Sequence, residues 1–448
     1  MIYDPAETEI RLNPSGEGTG VARAAYDAGR PEKALGALCH APFVGLDFSP
    51  TGHVTVCNHF HQSLAQVDED FSILEFWRGP ALKALRQSMR QYRINPEHCR
   101  HCAYQIQARS FTETFARAQY DVSATGDFDP PYPRRMIFRL NNTCNQACVM
   151  CSASTSSRFR KEVEGLPLEA SRYGPRFFAE LEEILPHLEH IEFYGGEPFL
   201  VREHLRIFEL LESTQSPATL YVNTNATALN ARSKGFLERL NFTCIAVSMD
   251  AVSAQVHETV RFGLKQERFL ANLDWLQKLA QRRGIYLVLN VTEHRKNWFE
   301  LPQIFEFAVT RDLPIHINTC VHPANVTLYT LDDGHLRYLD DFFTRHFERL
   351  SEAWSDFRNR PAYQHLLSLV RGELDKRNAG ERTTSFGHSK LSDGLLAVPL
   401  PGEGTFAEPA VIDFELSRMR EFLDEAEFER MERGLRARAT AATETSVV

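Results

Sequence analysis

The chain reads as an α/β fold: a partial (β/α)6 TIM-like barrel with a small cysteine-rich N-terminal domain before it and a helical extension after it. Three observations predict this. Six short apolar runs alternate with longer amphipathic stretches between residues 134 and 331, seven of the nine cysteines fall in the first 151 residues, and the pattern turns helical beyond residue 331. A chain of 448 residues has room for roughly two to three domains.

With 43% hydrophobic and 24% charged residues and a formal net charge of -9, the composition is globular and gives no general attraction to nucleic acid or anionic lipid, so neither is expected as a partner. The start, MIYDPAETEIRLNPSGEG, has neither the basic flank nor the apolar core of a secretory signal, and no later window holds about 18 consecutive apolar residues. A cytoplasmic location is expected. In that reducing compartment nine cysteines are better explained by metal or catalysis than by disulfides.

Taken in order, CHAPFVGLDFSPTGHVTVCNHF (39–60) places Cys39 before, and Cys57 after, two alternating runs joined at Pro50, Thr51 and Gly52, the pattern of a hairpin that draws the two thiols together. EFWRGPALKALRQSMRQYRINPEHCRHC (75–102) reads as a helix with Leu82, Leu85 and Met89 on one face, ending near Pro96 ahead of the pair Cys99 and Cys102. Four thiolates make a closed site, for zinc or for a fully ligated iron-sulfur cluster; spacing does not separate the two. His59, His61, His98 and His101 crowd these cysteines and are read as solvated surface residues.

SATGDFDPPYPRR (123–135) then reads as a linker, which puts a boundary near residue 130 and divides the chain into 1–130, 131–331 and 332–448. Six strands are expected in RMIFRL (135–140), HIEFYGG (190–196), TLYVNTN (219–225), TCIAVSMD (243–250), IYLVLNV (285–291) and PIHINTC (314–320). Helices are expected between them, for example over 176–188 and 267–280. In the extension, 336–357 and 412–434 read as helices around a Gly/Pro/Ser-rich stretch, and the last residues as a frayed tail.

Cys144, Cys148 and Cys151, in TCNQACVMC (143–151), lie just after the first barrel strand, at the carboxyl end where barrels of parallel strands keep their chemistry. An iron-sulfur cluster held by three thiolates leaves one iron open, as catalytic zinc keeps an open position. The alternatives are a zinc knuckle borrowing a histidine, or three thiols with no metal; no histidine lies between 123 and 179.

C-x3-C-x2-C after a strand resembles the radical S-adenosylmethionine (SAM) enzymes, over about residues 134–331. The resemblance implies a 4Fe-4S cluster whose free iron chelates SAM, and reductive cleavage of SAM to a 5′-deoxyadenosyl radical. It also implies that Gly195, Gly196, Glu197 and Pro198, in YGGEPFL (194–200), hold the amino group of SAM, with Glu197 accepting from the ammonium. Ser248 and Asp250, in VSMD (247–250), would bond the ribose, and Arg261 would pair with the carboxylate. Met150 stands where the family often has an aromatic residue and would pack on adenine.

The upstream C-x12-G-x4-C, helix and C-x2-C resemble the twitch form of the SPASM domain, which implies that Cys39, Cys57, Cys99 and Cys102 hold an auxiliary 4Fe-4S cluster. The departure is its place, since in most relatives this module follows the barrel. An electron donor such as flavodoxin or ferredoxin is implied as a partner.

Cys244, at the amino end of its strand, is expected to be a small core residue on the barrel floor. Cys320 ends the sixth strand on the cluster side, with Asn290, Glu293, His294 and His322 on the same rim as candidates for substrate contact or proton transfer. The function expected is therefore abstraction of hydrogen from a biosynthetic substrate, leading to oxidation or crosslinking with the auxiliary cluster as electron acceptor. Alternatives are an epimerase in which Cys320 returns a hydrogen atom, and a non-catalytic metal-braced binding protein. The 38 residues before Cys39 are fewer than the roughly 80 of a leader-peptide recognition domain in peptide-modifying relatives. This favours a small-molecule substrate or a peptide delivered by a separate partner.

Overall fold

A computed structural model of the chain describes residues 10–12, 22–354, 357–385 and 391. Nine strands form its main sheet: β1 (Gly45–Phe48), β2 (His53–Thr55), β3 (Ala65–Gln66), β4 (Arg135–Phe138), β5 (His190–Phe193), β6 (Thr219–Thr224), β7 (Phe242–Ser248), β8 (Tyr286–Glu293) and β9 (Ile315–Thr319). The order across the sheet is β9-β8-β7-β6-β5-β4-β1-β2-β3. All six expected barrel strands are present as β4 to β9, paired in parallel throughout, with helices in the crossovers.

These strands alternate more than their apolar look suggests. Met136, Phe138, Ile191, Phe193, Leu220, Val222, Ile245 and Val247 are buried on one face, where Phe193 meets Phe208 of the helix Arg202–Thr214 at 4.6 Å between ring centroids. The intervening positions carry Glu192, Tyr221, Asn223, Ser248 and Asn290. On this second face Ser248 Oγ donates to Asn223 Oδ1 at 3.3 Å and Asn318 Nδ2 to Asn290 Oδ1 at 2.7 Å, so side chains two apart line a polar barrel interior. Cys244 sits on that interior face and is half-buried, so it is not the core residue expected of it.

The cysteine-rich segment is joined to the barrel more closely than a linker near residue 130 implies. β1 pairs in parallel with β4 from Gly45↔Arg135 to Phe48↔Phe138, and the antiparallel strands β2 and β3 continue the same sheet. Gly52 closes the expected hairpin with φ +83, a left-handed conformation that glycine adopts at no steric cost. A second tie comes from Glu180, whose carboxylate accepts from Ser72 Oγ (2.6 Å), Ile73 N (2.6 Å) and Leu74 N (3.0 Å) and so caps a helix of the N-terminal domain.

The single helix expected before Pro96 is two, Ile73–Trp77 and Pro80–Arg90, followed by a short strand at Arg93–Ile94. The reason is Pro80: without an N–H it cannot continue a helix, but it suits the first turn of the next one. Beyond the barrel, helices Asp333–Ala353 and Arg360–Asn378 pack together. Asn359 finishes the edge of the sheet, accepting from Ile315 N and donating to Leu313 O, both at 2.8 Å. The expected helix at 412–434 lies outside the described residues. No helix among the described residues is long and apolar enough to cross a membrane.

Candidate cluster sites and cofactor pocket

After β4 the chain turns through Cys144 and forms a two-residue ladder in which Cys148 pairs with Arg261 and Ala147 with Phe262. The three thiols converge. Cys148 and Cys151 act on each other, which lowers the Cys151 thiol and raises that of Cys148, while burial pushes Cys144 up to about 12. Donors surround them: Gln146 N lies 3.4 Å and Asn225 Nδ2 4.0 Å from Cys144 Sγ, and Arg261 Nη1 lies 3.9 Å from Cys148 Sγ. The loop itself is held by Asn145 and Gln146, whose side-chain amides donate to Thr227 Oγ1 at 2.9 and 3.1 Å.

The segment after β5 braces this loop from below. A Cβ on Gly196 would stand 2.2 Å from Thr143 O and 2.6 Å from Asn142 O, both backbone atoms that cannot swing aside. Gly196→Ala should therefore displace the cysteine loop and lower iron bound per chain after anaerobic reconstitution, with the upstream site unaffected.

Glu197 has a structural role that its place after two glycines does not reveal. It is fully buried, and its carboxylate accepts from Thr224 Oγ1 (2.7 Å), Asn225 N (2.8 Å) and Phe199 N (3.4 Å), which ties β6 to the loop. Pro198 is buried beside it. His204, buried in the next helix, meets Leu140 N through Nε2 at 3.4 Å and is held neutral by burial.

Beyond β7 lies a second buried group. Arg261 Nε stands 2.7 Å from Asp250 Oδ2, yet the N–H points past the oxygen, so that the two are ion-paired without a well-directed hydrogen bond. Asp250 Oδ1 accepts from Thr292 N at 2.8 Å. The two residues expected to serve ribose and carboxylate separately thus neutralise each other, because the ladder to Cys148 brings Arg261 over the end of β7. His257 Nε2 and His294 Nε2 are also buried without a hydrogen-bond partner among the described residues. Burial lowers both imidazoles to about 4 and keeps them neutral. Ser248 and Met150 remain half-buried at the same end of the barrel.

Cys320 is buried on this rim. Its N–H donates to the Glu293 carboxylate (3.0 Å to Oε2), its thiol donates to His322 O at 3.4 Å, and Tyr329 Oη donates to Glu293 Oε1 at 3.0 Å. Burial holds the Cys320 thiol protonated and raises Glu293 to about 8, as it raises Glu197 to about 7 from an ordinary 4.5. A carboxyl group whose pKa is higher in the folded than in the unfolded chain binds more protons when folded. Its contribution to stability is therefore present at low pH and lost as pH rises from about 4.5 to about 8. Glu293→Gln should flatten that part of the stability profile, and urea midpoints of wild type and variant should converge at pH 5 and separate toward pH 8, with the variant the more stable.

The other four cysteines close around a small cavity lined by Cys39, Cys57, Cys99 and Cys102 together with Met89 and Tyr120. Burial pushes Cys57 up to about 12 and Cys102 to about 11, and burial first, with the neighbouring thiols adding to it, raises Cys39 and Cys99. So many buried thiols facing one apolar space suit soft metal ligation. His59 also lines the cavity and stacks on His101 at 4.8 Å, so it is not the solvated residue expected; His61 and His101 are exposed. Because Cys39 precedes β1 and Cys57 follows β2, this cavity lies at the amino end of β4, whereas Cys144 to Cys151 lie beyond its carboxyl end. The five residues from Arg135 to Arg139 separate the two levels by roughly 15 Å.

The model of the radical SAM superfamily matches residues 139–301, a span that holds the three-thiol loop, the GGEP turn and the Asp250–Arg261 pair. Residues 139–301 are a radical SAM domain. A SPASM model, an iron-sulfur cluster-binding domain, matches residues 39–103. The chain is similar to the sporulation killing factor maturation protein SkfB of Bacillus subtilis, 22% identical over 207 residues, 45% of this chain and 46% of that one. Among solved structures it is similar to SuiB of Streptococcus suis bound to the precursor peptide SuiA, with 13% identity, a TM-score of 0.36, and 49% and 47% of the two chains covered. It is also similar to anSMEcpe with bound S-adenosylmethionine, with 16% identity, a TM-score of 0.36, and 56% and 67% covered. The chain thus spans about half the length of SkfB and SuiB.

The radical SAM domain implies a 4Fe-4S cluster that binds S-adenosylmethionine, and the SPASM domain a second iron-sulfur cluster. The donor sets fit both. Three converging thiols lie under an arginine and an asparagine, and four buried thiols ring an apolar cavity. Residues of the radical SAM domain that the sequence did not mark are Asn225 and Thr227, which position Cys144 and its loop, and His257. Their signal was present in part: VNTNAT (222–227) is a polar cluster at the carboxyl end of a strand, where such barrels keep their sites.

Proposed function

We propose that this chain is a radical SAM enzyme that abstracts a hydrogen atom from a peptide substrate and carries the product on to oxidation or crosslinking. The observation that supports it is the convergence of Cys144, Cys148 and Cys151 at the carboxyl end of β4, above a barrel interior lined by Asn223, Ser248, Asn290 and Asn318. Bound there, SAM and a reduced cluster supply a 5′-deoxyadenosyl radical, and a cluster held by Cys39, Cys57, Cys99 and Cys102 supplies an acceptor for one electron. Similarity to SkfB, a protein named for maturation of a killing factor, supports a peptide rather than a small molecule as the substrate.

The chain's own residues orient and enclose. Arg261 holds positive charge beside Cys148, Asp250 keeps that charge in place, and the neutral imidazoles of His257 and His294 face the pair without adding charge. Gly195 and Gly196 press the GGEP turn against the cysteine loop and Glu197 locks it to β6. A flavodoxin- or ferredoxin-like protein is proposed as the electron donor.

Anaerobic incubation of the reconstituted protein with SAM, dithionite and a candidate precursor peptide tests this reading. It requires 5′-deoxyadenosine and a peptide lighter by two hydrogens; absence of 5′-deoxyadenosine would count against any radical chemistry. One observation favours epimerisation as a second reading, namely that the Cys320 thiol is buried and protonated on the rim of the cluster site. That reading requires deuterium uptake from solvent at unchanged mass otherwise, lost in Cys320→Ser.

A further inference from the structure

On the N-terminal domain, the helix Pro80–Arg90 presents two different faces. Leu85 and Met89 line the four-cysteine cavity, whereas Lys83, Arg86 and Arg90, spaced three and four apart, face an open surface groove. Arg23, Phe128 and Asp129 complete much of its wall.

Arg86 is the unusual member. Only 4% of it is exposed, its guanidinium stacks 4.3 Å over the Trp77 ring, and its Nε donates to Pro42 O at 2.9 Å. No carboxylate pairs with it among the described residues, and its Nη2 is buried without a hydrogen-bond partner. Burial lowers its pKa to about 10, opposed by the more distant Asp129 and Asp127. A buried guanidinium left in this state is costly, and the usual remedy is a carboxylate or phosphate that meets its fork of N–H groups.

The neighbours reinforce the demand for an anion. Lys83 and Arg90 are exposed and form no ion pair among the described residues, and the Arg90 guanidinium lies 4.8 Å over the Phe128 ring. Arg23 has Asp27 as a partner at 3.2 Å, so it contributes less. Against these stand Asp127 and Asp129, both exposed. In a chain of net charge -9, this is a local excess of positive charge around a recessed donor.

We propose that this groove binds an acidic peptide segment, with one side-chain carboxylate reaching Arg86 and others meeting Lys83 and Arg90. The recess decides between occupants. A folded partner with an acidic surface would meet Lys83 and Arg90 but not a guanidinium so deeply set, whereas a slender Asp or Glu side chain on an extended strand reaches it. The inference rests on the peptide reading above and adds an anchoring site, at the opposite end of the sheet from the three-thiol loop, for a part of the peptide distant from the reacting residue.

The test uses the full chain, reconstituted with its clusters, and fluorescence anisotropy of a labelled peptide of alternating Glu and Gly, compared with its Gln and Gly counterpart. The Glu peptide should bind, more weakly as salt is raised, and the Gln peptide should not. Lys83→Gln with Arg90→Gln, both on exposed positions, should weaken binding about ten-fold, and Arg86→Gln by at least as much if its circular dichroism matches wild type. Equal binding of the two peptides, unchanged affinity in both variants, or displacement of the Glu peptide by inorganic phosphate at matched ionic strength would each overturn the proposal. Binding is read without turnover, so its failure leaves the peptide chemistry standing, and a peptide that binds but is never modified counts against that chemistry alone.

Discussion

Changing Cys144, Cys148 and Cys151 together to Ala is expected to lower bound iron from about eight to about four per chain and to abolish 5′-deoxyadenosine formation. The fold should survive, because the loop is held by contacts that do not involve sulfur. Asn145 and Gln146 donate to Thr227 Oγ1, Cys144 N donates to Ser157 Oγ at 3.0 Å, and Arg158 Nη1 donates to Asn145 O at 2.9 Å. The remaining iron should stay with the cavity of Cys39, Cys57, Cys99 and Cys102, since it lies at the other end of β4. Iron and sulfide analysis with Mössbauer spectra reads both numbers. A wild type with about four irons that all vanish in the variant, and with zinc retained, would show that the upstream site is structural and would remove the proposed electron acceptor.

Asp250→Ala should be the most destabilising single change at the cofactor pocket, by about 3–5 kcal/mol in the metal-free protein. Asp250 is fully buried and Arg261 nearly so, and removing the carboxylate strands a guanidinium in a low-dielectric interior. Two further losses follow: Thr292 N loses its acceptor, and the charge beside Cys148 loses the anion that holds it in place. In the protein loaded with its clusters the cost should be smaller, since anionic thiolates then face Arg261 from the other side. Urea denaturation of wild type and variant, each with and without reconstitution, measures the difference; an equal cost in both states would mean that Arg261 does not feel the cluster. Replacing both partners, as in Asp250→Asn with Arg261→Gln, should cost less than Asp250→Ala alone, because no unpaired charge remains.

Much of the architecture was readable because it rests on local patterns. Six apolar runs alternating with amphipathic stretches became β4 to β9, and the two cysteine groups, defined by spacing alone, became two separate convergences of thiols. What the sequence did not reveal depended on contacts distant along the chain. Glu197 was read as a ligand because a carboxylate follows two glycines at a strand end; that it also braces the turn, through Thr224 and Asn225 at the end of the neighbouring strand, was not legible there. Asp250 and Arg261 were given separate tasks because nothing in SMDAVSAQVHETVR reveals the ladder that folds Arg261 back onto Cys148. Arg86 reads from sequence as one more cation on an amphipathic helix, since only the packing of Trp77 and Pro42 shows that it is buried. Cys244 lies at the amino end of its strand as expected, but an apolar run does not say which of its alternate residues face a polar barrel interior, so its partial exposure was not legible.

The pairing of β1 with β4 also bears on how the protein is made. The cysteine-rich domain is synthesised before the barrel, yet the strand that completes its sheet is not made until some ninety residues later, counting from Gly45 to Arg135. During that interval β1 is an open edge able to recruit a strand from another chain, a hazard common to long-range β pairing. Early filling of the four-cysteine cavity would tie down both ends of the hairpin before β4 arrives. Overproduction with iron and sulfur supply held back should therefore yield aggregates rather than soluble apoprotein, and the order of domains along this chain would then make cluster delivery a step in folding as well as in activation.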